Sequence, residues 1–400
     1  MAVHKSKSKT VKSFLELKSY CEFENFKGWD PYDGLNSKIF SATPLKNWDL
    51  ARLAWIQGFK RSPFNFRKLL HVPKQHNAMG IGLFLSGYCT LLEIAKKGVS
   101  DFGTVQEIEK QIHELANLLI GMKTPGYSGA CWGYNFDWQA RRLFLFPAYT
   151  PTVVATTFCA SALVRAYELT GEKKYLEEGL SSCEFVKYDL NRTPYQNGHI
   201  FSYSPLNGNN TVFNASLKGA KLLSLGFHYT NNQEYKDLAE SAVRAAIAAQ
   251  AADGSWVYGM LPVQSWIDSF HTGFNLDALE FYKKYTGDQS VQKAIDKGFD
   301  FYVNHFFLDD GTPKYYHNKT YPIDIHCPGQ LLVTLSTLGK TEENQLLAEK
   351  VLSWTIENMQ DKKGYFYYQI KKGISSKIPY MRWSNAFMFN AFSSYFKTQH

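Results

Sequence analysis

The stretch SALVRAYELTGEKKYLEEGLSSCEFVKYDL, residues 161–190, predicts two helices joined by a tight turn. Three later stretches repeat this pattern: KLLSLGFHYTNNQEYKDLAESAVRAAIAAQAADGSWVYG (221–259), DALEFYKKYTGDQSVQKAIDKGFDFYVNHFFLDDGTPKYY (277–316) and LLVTLSTLGKTEENQLLAEKVLSWTIENMQDKKGYFYYQ (331–369). Each has an apolar helix, a short turn, a second helix and then a glycine-containing aromatic loop. Such a two-helix unit cannot bury its apolar face alone, so neighbouring units must pack on one another.

The turns within the repeats share a sequence signal. They fall at Thr170-Gly171, Thr230-Asn231, Thr286-Gly287 and Leu338-Gly339. Their spacing of 52 to 60 residues suits a repeated helical hairpin. Since glycine and asparagine accept the left-handed backbone conformation that ends many helices, we expect the second residue of each pair to adopt it.

The rest of the chain supplies further predicted helices, at 50–59, 80–98, 105–122 and 385–396. About six hairpins result, and they predict an all-α fold, an (α/α)6 toroid with long aromatic loops at one end. An open solenoid is the alternative, although solenoids usually have shorter and more uniform repeats. We expect a single domain over residues 21–400, preceded by a basic flexible tail over residues 1–20.

Composition narrows the class of partner. Aromatic residues make up 16% of the chain, with 25 Tyr and 9 Trp. Their flat apolar faces and polar tips weakly favour a carbohydrate ligand. The net charge is +8, partly from the first twelve residues. Because no basic face with interleaved aromatic residues is evident in the sequence, we expect no nucleic-acid partner.

The absence of recognisable targeting signals and the pattern of cysteines predict a cytoplasmic protein. The N-terminus lacks the apolar segment of a signal peptide, and no apolar run is long enough to predict a membrane span. The six cysteines are scattered and form no CxxC pair, which is typical of reduced, structural thiols. The oligomeric state stays open.

The long loops predict where a cleft lies. In a ring of hairpins each loop runs from an outer helix to the next inner helix, so the loops gather at one end. They hold many of the Tyr and Trp residues and lie at 132–142, 199–210, 253–273, 310–329 and 362–385.

Two Asp/His pairs are the candidate catalytic groups. Asp268 and His271 are three residues apart at a predicted helix start, so they share one face. Asp324 and His326 occupy the same place in the next repeat. A carboxylate beside an imidazole orients it and gives an acid or base that works near neutral pH, and Tyr316 is a further candidate proton donor. The alternative is structural, with an aspartate capping a helix and a histidine satisfied in the core.

Candidate substrate-binding residues are aromatic or charged side chains of the same loops. Aromatic rings stack on sugar faces, and an arginine binds a carboxylate through two hydrogen bonds, as a uronic acid would require. The candidates are Trp132, Tyr134, Asp137, Arg142, Tyr203, Trp256, Tyr258, Arg382 and Trp383. Individually, each such residue is more often part of a core or a rim.

Motifs for cofactors are absent from the sequence. GxxxxGK[ST], GxGxxG and GxSxG do not occur, so we predict no cofactor. The candidate Asp and His residues, with Cys327, include zinc-ligand types, but neither CxxC nor HExxH spacing is present. A zinc enzyme is therefore an alternative and not the main expectation.

Across its helices and loops, the chain resembles a bacterial family of exopolysaccharide and capsule biosynthesis proteins with an (α/α)6 toroid. The resemblance covers nearly the whole chain and rests on DPYDGLNS (30–37), WGYNFDWQ (132–139), TPTVVAT (150–156), FSYSP (201–205), DGSWVYG (253–259), WIDSFHTGFNLDAL (266–279), PKYY with PIDIH (313–326), GYFYYQ (364–369) and YMRWSNAFM (380–388). More distantly the architecture is similar to unsaturated glucuronyl hydrolases and the catalytic domain of glucuronyl C5-epimerases, which implies a uronic-acid glycan. It is also similar to lanthionine cyclases and protein prenyltransferases, which implies the zinc alternative. No catalytic residue is carried over from these families.

The resulting hypothesis is a carbohydrate-active enzyme of cell-surface polysaccharide biosynthesis that performs acid/base chemistry on a uronic-acid-containing glycan. A glycoside hydrolase, a lyase and an epimerase would all use such a set of residues. The alternative is a non-catalytic glycan-binding or assembly protein of the same pathway, in which the aromatic residues matter and the ionisable pairs do not.

Overall fold

A computed structural model describes residues 2–139 and 145–400 of the chain. Its α-helices are α1 (Ala2–Phe23), α2 (Lys38–Ser41), α3 (Asp49–Arg61), α4 (Ala78–Lys96), α5 (Val105–Gly121), α6 (Val153–Thr170), α7 (Lys173–Glu184), α8 (Phe213–Thr230), α9 (Gln233–Ala248), α10 (Ser269–Thr286), α11 (Gln292–His305), α12 (His326–Thr337), α13 (Gln345–Met359) and α14 (Phe387–Lys397). Its strands are β1 (Trp138–Gln139), β2 (Leu145–Phe146), β3 (Arg192–Tyr195), β4 (Gly198–Phe201), β5 (Ile323–Asp324), β6 (Gln369–Ile370) and β7 (Ser375–Ser376). A π-helical turn, Met381–Ala386, leads into α14.

Six long helices form a closed inner ring. In order they are α4, α6, α8, α10, α12 and α14; each packs on the next, and α14 packs on α4. The outer helices α5, α7, α9, α11 and α13 each pack against the inner helix that precedes them in the chain. The predicted (α/α)6 toroid is therefore confirmed, and the contact between α14 and α4 excludes the open solenoid.

The repeat turns have the predicted backbone. Gly171, Asn231 and Gly287 directly follow α6, α8 and α10, with φ angles of 77°, 55° and 76°. In each, the backbone N–H donates to a carbonyl one helical turn earlier, in Tyr167, Phe227 and Lys283 respectively. Gly339, which follows α12, also has a positive φ, of 65°.

The N-terminal helix α1 is the sixth outer helix. Gln250 donates from Nε2 to the carbonyl oxygen of Ala294 in α11, at 2.9 Å. The equivalent Gln360 donates from Nε2 to the carbonyl oxygen of Ser13 in α1, also at 2.9 Å. The same hydrogen bond thus ties the loop after α9 to α11 and the loop after α13 to α1. Helix α1 therefore lies beside α13 as α11 lies beside α9.

The predicted flexible tail over residues 1–20 is wrong from Thr10 onward. Phe14, Leu17 and Cys21, spaced as one face of a helix, are fully buried. The Phe14 ring lies 5.1 Å from the ring of Phe389 and 5.4 Å from that of Phe396, both in α14. The lysines early in α1 give the segment a basic composition, and this conceals the apolar face that closes the ring.

Inner helix α4 is long and apolar enough to cross a membrane by length and composition alone. In the fold, 83% of the 18-residue window that meets this test is buried. Its apolar side chains belong to the core of the ring, as expected for a helix with packing partners on every side.

Backbone hydrogen bonds carry the aromatic loops to one end of the ring. Near the start of an inner helix, a free N–H group donates to the carbonyl oxygen of a tyrosine in the next loop. The pairs are Val153 with Tyr203 (2.9 Å), Phe213 with Tyr258 (3.4 Å), Ser269 with Tyr315 (2.9 Å) and Ile325 with Tyr368 (3.2 Å). Successive loops therefore place equivalent tyrosines around the same mouth.

A core substitution in α1 tests whether this outer helix is part of the folded domain. Replacing Phe14 by Ala removes a fully buried ring, so the free energy of unfolding should fall by about 3 to 5 kcal/mol. The matched control is Lys12→Ala in the same helix, where the side chain is 77% exposed; its effect should stay within about 0.5 kcal/mol. Urea unfolding measures the free energy of unfolding of both variants. An equally small change in the two would support the flexible tail that the sequence predicted.

Candidate active site

Asp268 holds His271 in one orientation at the start of α10. Its Oδ1 accepts the backbone N–H of His271 at 3.0 Å, which caps the helix. Its Oδ2 lies 2.8 Å from His271 Nδ1 and accepts the indole N–H of Trp266 at 2.9 Å. Asp268 is buried, whereas the His271 side chain is 20% exposed. Because Nδ1 is held by Asp268, Nε2 is the His271 atom available to a ligand.

Asp324 has equivalent contacts but does not pair with a ring. Its Oδ1 accepts the backbone N–H of His326 at 3.1 Å and the indole N–H of Trp383 at 3.0 Å. Its Oδ2 accepts the side-chain amide of Gln369 at 3.1 Å. The predicted Asp324–His326 pair is therefore wrong in its chemistry, because a spacing of two residues brings the backbone of His326, and not its imidazole, to the carboxylate.

His326 is a buried imidazole without a polar partner. Among the described residues, neither ring nitrogen has a hydrogen-bond partner. The ring lies 3.8 Å from Phe387, 4.2 Å from Trp383 and 4.9 Å from Phe270, centroid to centroid. Burial lowers the pKa of His326 well below its ordinary value, and the positive charges of Arg382 and His271 lower it further. Because buried polar atoms are normally hydrogen-bonded, these two ring nitrogens are candidate contacts for a ligand.

Burial also changes the titration of Asp324. It raises the pKa of this carboxyl to about 6, although hydrogen bonds from His326 and Trp383 and the charge of Lys60 oppose the change. Asp324 therefore changes its charge close to the pH range in which a cell operates.

Phe270 lies close to both histidines, His271 at the start of α10 and His326 at the start of α12. Its ring lies 4.1 Å from the ring of His271 and 4.9 Å from that of His326. Burial raises the pKa of Tyr315, and the charges of Asp268 and Asp324 raise it further.

Tyr316 completes the predicted catalytic set. Its backbone pairs with that of Asp268 in an isolated antiparallel bridge. Lys319 Nζ lies 4.3 Å from the centroid of its ring. The structure thus places His271 and His326 around Phe270, beside Asp268 and Asp324, and the backbone of Tyr316 next to that of Asp268, while the roles of all five residues stay a prediction.

Half-buried aromatic rings form one wall of the cleft beside His271. Tyr258 stacks on Trp266 with a centroid distance of 4.4 Å, and its ring lies 4.7 Å from that of His271. Tyr258 was among the predicted binding residues. Trp266 was not, although its position two residues before Asp268 is a signal that could have identified it.

A second aromatic wall is built from Trp383 and its neighbours. The Trp383 ring lies 5.6 Å from that of Tyr32, which lies 6.0 Å from that of Trp138. The hydroxyl groups of Tyr134 and Tyr203 are 2.9 Å apart. All five side chains are half-buried, so this wall joins the predicted Tyr134, Tyr203 and Trp383 to Tyr32 and Trp138.

Two predicted binding residues are core residues instead. Trp132 and Trp256 are buried, with 0% and 2% of their surface exposed. The indole N–H of each donates to a backbone carbonyl, of Leu119 and Ala246 respectively. Neither ring therefore offers a face to a ligand, and the expectation that they stack on a sugar is corrected.

Arg382 is also committed elsewhere. Its Nε donates to Asp30 Oδ2 at 2.6 Å, and both side chains are buried. Its guanidinium lies 4.9 Å from the centroid of the Tyr134 ring and 5.2 Å from that of Trp383. The expectation that Arg382 binds a substrate carboxylate is therefore corrected: it positions the two rings between which it lies.

Asp137 and Arg142 are the remaining charged candidates. Asp137 accepts the backbone N–H of Ala148 at 2.7 Å, so it closes the β1–β2 hairpin. Arg142 lies outside the described residues. Lys60, which the sequence did not single out, donates from Nζ to the hydroxyl of Tyr32 at 2.5 Å.

Metal-ligand geometry bears on the zinc alternative. Within residues 2–139 and 145–400, no group of three or more His, Cys, Asp or Glu side chains is placed to hold a metal ion. The zinc alternative therefore finds no ligand set in this part of the chain.

Comparison with known proteins finds similar folds among solved structures, at low sequence identity. No family model matches the chain, and no curated protein does. Among solved structures, an unsaturated glucuronyl hydrolase specific for heparin has a TM-score of 0.62 at 12% identity, over 98% of this chain and 97% of that one. The cellobiose 2-epimerase of Bacillus thermoamylovorans has a TM-score of 0.61 at 14% identity, over 82% and 90%. A family 76 α-mannanase of Bacteroides thetaiotaomicron has a TM-score of 0.60 at 12% identity, over 92% and 99%. Identities this low establish the shared toroid fold alone.

The raised pKa of Asp324 gives a testable dependence of stability on pH. Since the folded state binds this proton more tightly than the unfolded state, Asp324 stabilises the fold at low pH and loses that contribution as pH rises through about 6. The difference in unfolding free energy between the wild type and Asp324→Asn should therefore fall between about pH 4 and pH 7.

Urea unfolding at a series of pH values measures this difference. Asp33, whose pKa burial also raises to about 6, is present in both proteins and cancels. A difference that stays constant over this range would show that Asp324 does not titrate there.

Proposed function

We propose that this protein is an enzyme that transfers a proton at a sugar carbon next to a carbonyl group, with His271 and His326 as the groups that act on the substrate. The observation that carries the proposal is that two imidazoles lie against the ring of Phe270, among half-buried aromatic side chains. One is oriented by a buried carboxylate, and the other is neutral and has no hydrogen-bond partner among the residues that the structure describes.

The carboxylates are better suited to positioning than to direct chemistry. Hydrolysis by two carboxyl groups needs free oxygen atoms on both sides of the scissile bond. Asp268 accepts three contacts, from Trp266 and from the backbone and ring of His271. Asp324 accepts three N–H groups and is buried. Because the oxygen atoms of both carboxylates are already engaged in hydrogen bonds, the site favours an epimerase, an isomerase or a lyase over a glycoside hydrolase.

The proposed step balances within the cleft. Nε2 of neutral His271 takes the proton from the carbon, and the C–H electron pair forms a carbon–carbon double bond while the carbonyl oxygen becomes negative. The N–H of neutral His326 donates a hydrogen bond to that oxygen, and Asp268 stabilises the imidazolium of His271. In an isomerisation, Tyr316 gives its proton to this oxygen and takes one back from the neighbouring hydroxyl, which becomes the new carbonyl, while the imidazolium of His271 delivers its proton to the former carbonyl carbon. In an epimerisation, Tyr316 recovers its proton from the same oxygen, a proton from solvent reaches the other face of the original carbon, and His271 releases its proton to solvent.

The character of the cleft supports a sugar as substrate. The rings of Tyr258, Trp383 and Tyr32 are half-buried, which provides apolar faces and hydroxyl groups at one mouth. The structures similar in fold carry names of enzymes that act on sugars, namely an epimerase, a mannanase and a glucuronyl hydrolase.

We further propose a uronic-acid-containing substrate of cell-surface polysaccharide biosynthesis, processed in the cytoplasm. The pathway rests on the resemblance in sequence, and the location rests on the N-terminal sequence and the cysteine pattern. The acidic group rests on Lys60, because Arg382 is paired with Asp30. Lys60 is half-buried at the mouth, and its charge acts on Asp324.

A glycan-binding protein without catalysis is the second candidate. The two aromatic walls favour it, since they bind a sugar whether or not a proton moves. It predicts that Tyr258 and Trp383 are essential and that the two histidines are dispensable.

Hydrogen exchange at carbon tests the proposal most specifically. In D2O, the protein should introduce deuterium next to the carbonyl of at least one reducing sugar from a panel that includes cellobiose and D-glucuronate, as followed by NMR. His271→Asn and His326→Gln should each lower the rate by about 100-fold or more, because each removes a group that acts in proton transfer.

The control variant is His228→Asn, at the opposite end of inner helix α8, which should keep the wild-type rate. If the protein binds a sugar of the panel and exchanges no hydrogen with it, the binding-protein alternative holds. If exchange persists in both cleft variants, the two histidines are not the acid and base.

A further inference from the structure

Residues 38–69 form an exposed apolar and basic surface, of which only Lys60 has a place in the candidate site. Seven of the fifteen exposed large hydrophobic side chains in the described part of the chain belong to this segment, with exposed fractions of 43% to 71%. They are Ile39, Leu45, Trp48, Leu50, Phe64, Phe66 and Leu69. We call this surface, with its lysines and arginines, the 38–69 face. Clustered exposed apolar side chains usually mark an interaction site.

Helix α3 joins the two ends of this face. Leu50, Ala54, Gly58 and Arg61 follow one another at helical spacing, and all are exposed. The other side of the helix is packed, since Ile56 is fully buried. The exposed stripe spans the length of α3, about 20 Å for thirteen residues, and links the apolar residues before the helix to those after it.

The segment is also the main source of the chain's positive charge. It contains seven Lys or Arg residues and one Asp, a net charge of +6 out of +8 for the whole protein. Two of the cations are neutralised, because Arg52 pairs with Asp49 and Arg67 with Asp33. Four others are exposed and form no ion pair within the described chain: Lys38, Lys46, Arg61 and Lys68.

We propose that the 38–69 face docks on a lipid bilayer with anionic headgroups. Free cations interleaved with large apolar side chains match the two parts of such a surface, the negative headgroups and the acyl boundary below them. Trp48 and Phe64 are suited to the interfacial depth, and Leu50 and Leu69 supply aliphatic surface. A single-stranded nucleic acid would instead favour aromatic rings for base stacking over exposed leucines.

The same helix connects this face to the cleft. Lys60 in α3 donates to Tyr32, and Trp55 donates its indole N–H to the carbonyl of Gly34 at 2.9 Å. Docking would therefore hold the cleft mouth beside the bilayer. The proposal stands on the exposed face alone and holds whether or not the cleft is catalytic.

Vesicle flotation with the full-length protein tests the proposal. The protein should float with vesicles of phosphatidylglycerol and phosphatidylcholine at least about tenfold better than with phosphatidylcholine alone, and added salt should weaken the binding. Lys46→Glu with Lys68→Glu should abolish the preference for anionic vesicles. Leu69→Ser should weaken binding severalfold to the anionic vesicles.

Each variant has a matched control at exposed positions elsewhere. Lys362→Glu with Lys363→Glu makes the same change in net charge, and Leu346→Ser removes a leucine of similar exposure. Both controls should bind like the wild type. The proposal is overturned if the two double variants bind alike, if anionic and neutral vesicles are bound equally, or if a poly(dT) probe binds the same face more tightly than the vesicles.

Discussion

Closure of the inner ring is the constraint on which the rest of the structure depends. When α14 packs on α4, with α1 behind it, the six inner helices present their N-terminal ends on one side of the molecule. The free N–H groups there need acceptors, and backbone carbonyls of loop tyrosines supply several of them. Satisfying the helix ends therefore also builds the aromatic mouth, so fold and site have one physical cause.

The same requirement accounts for the two buried aspartates. Asp268 accepts a backbone N–H at the start of α10 and an indole N–H, and Asp324 accepts the equivalent pair at the start of α12. A helix N-terminus favours negative charge, which helps to retain a carboxylate where water is excluded. What distinguishes the two units is the ring that follows: three residues beyond Asp268 the imidazole of His271 reaches the carboxylate, and two residues beyond Asp324 that of His326 does not. The same capping arrangement at two helix starts thus yields two different imidazoles: that of His271 pairs with a carboxylate, and that of His326 does not.

Features set by local spacing were predictable, and features set by distant partners were not. The turns at Gly171, Asn231 and Gly287 and the shared face of Asp268 and His271 follow from residues close in sequence. The pairing of Arg382 with Asp30 joins residues 352 positions apart, and a single sequence carries no signal of it. Likewise, Trp132 and Trp383 are alike as residue types, and only the fold decides that one is in the core and the other at the cleft. Helix α1 was mistaken for a tail because its basic composition outweighed the spacing of Phe14, Leu17 and Cys21.

A crystal structure with a bound reducing sugar tests the central claim most directly, because it locates the reacting carbon relative to both imidazoles. The account predicts the sugar between the walls of Tyr258 and Trp383, with Nε2 of His271 and one ring nitrogen of His326 at about 3 Å from the carbon and the oxygen on which they act. A sugar bound outside this cleft, or one seated in it with neither imidazole within reach of its ring atoms, would contradict the account.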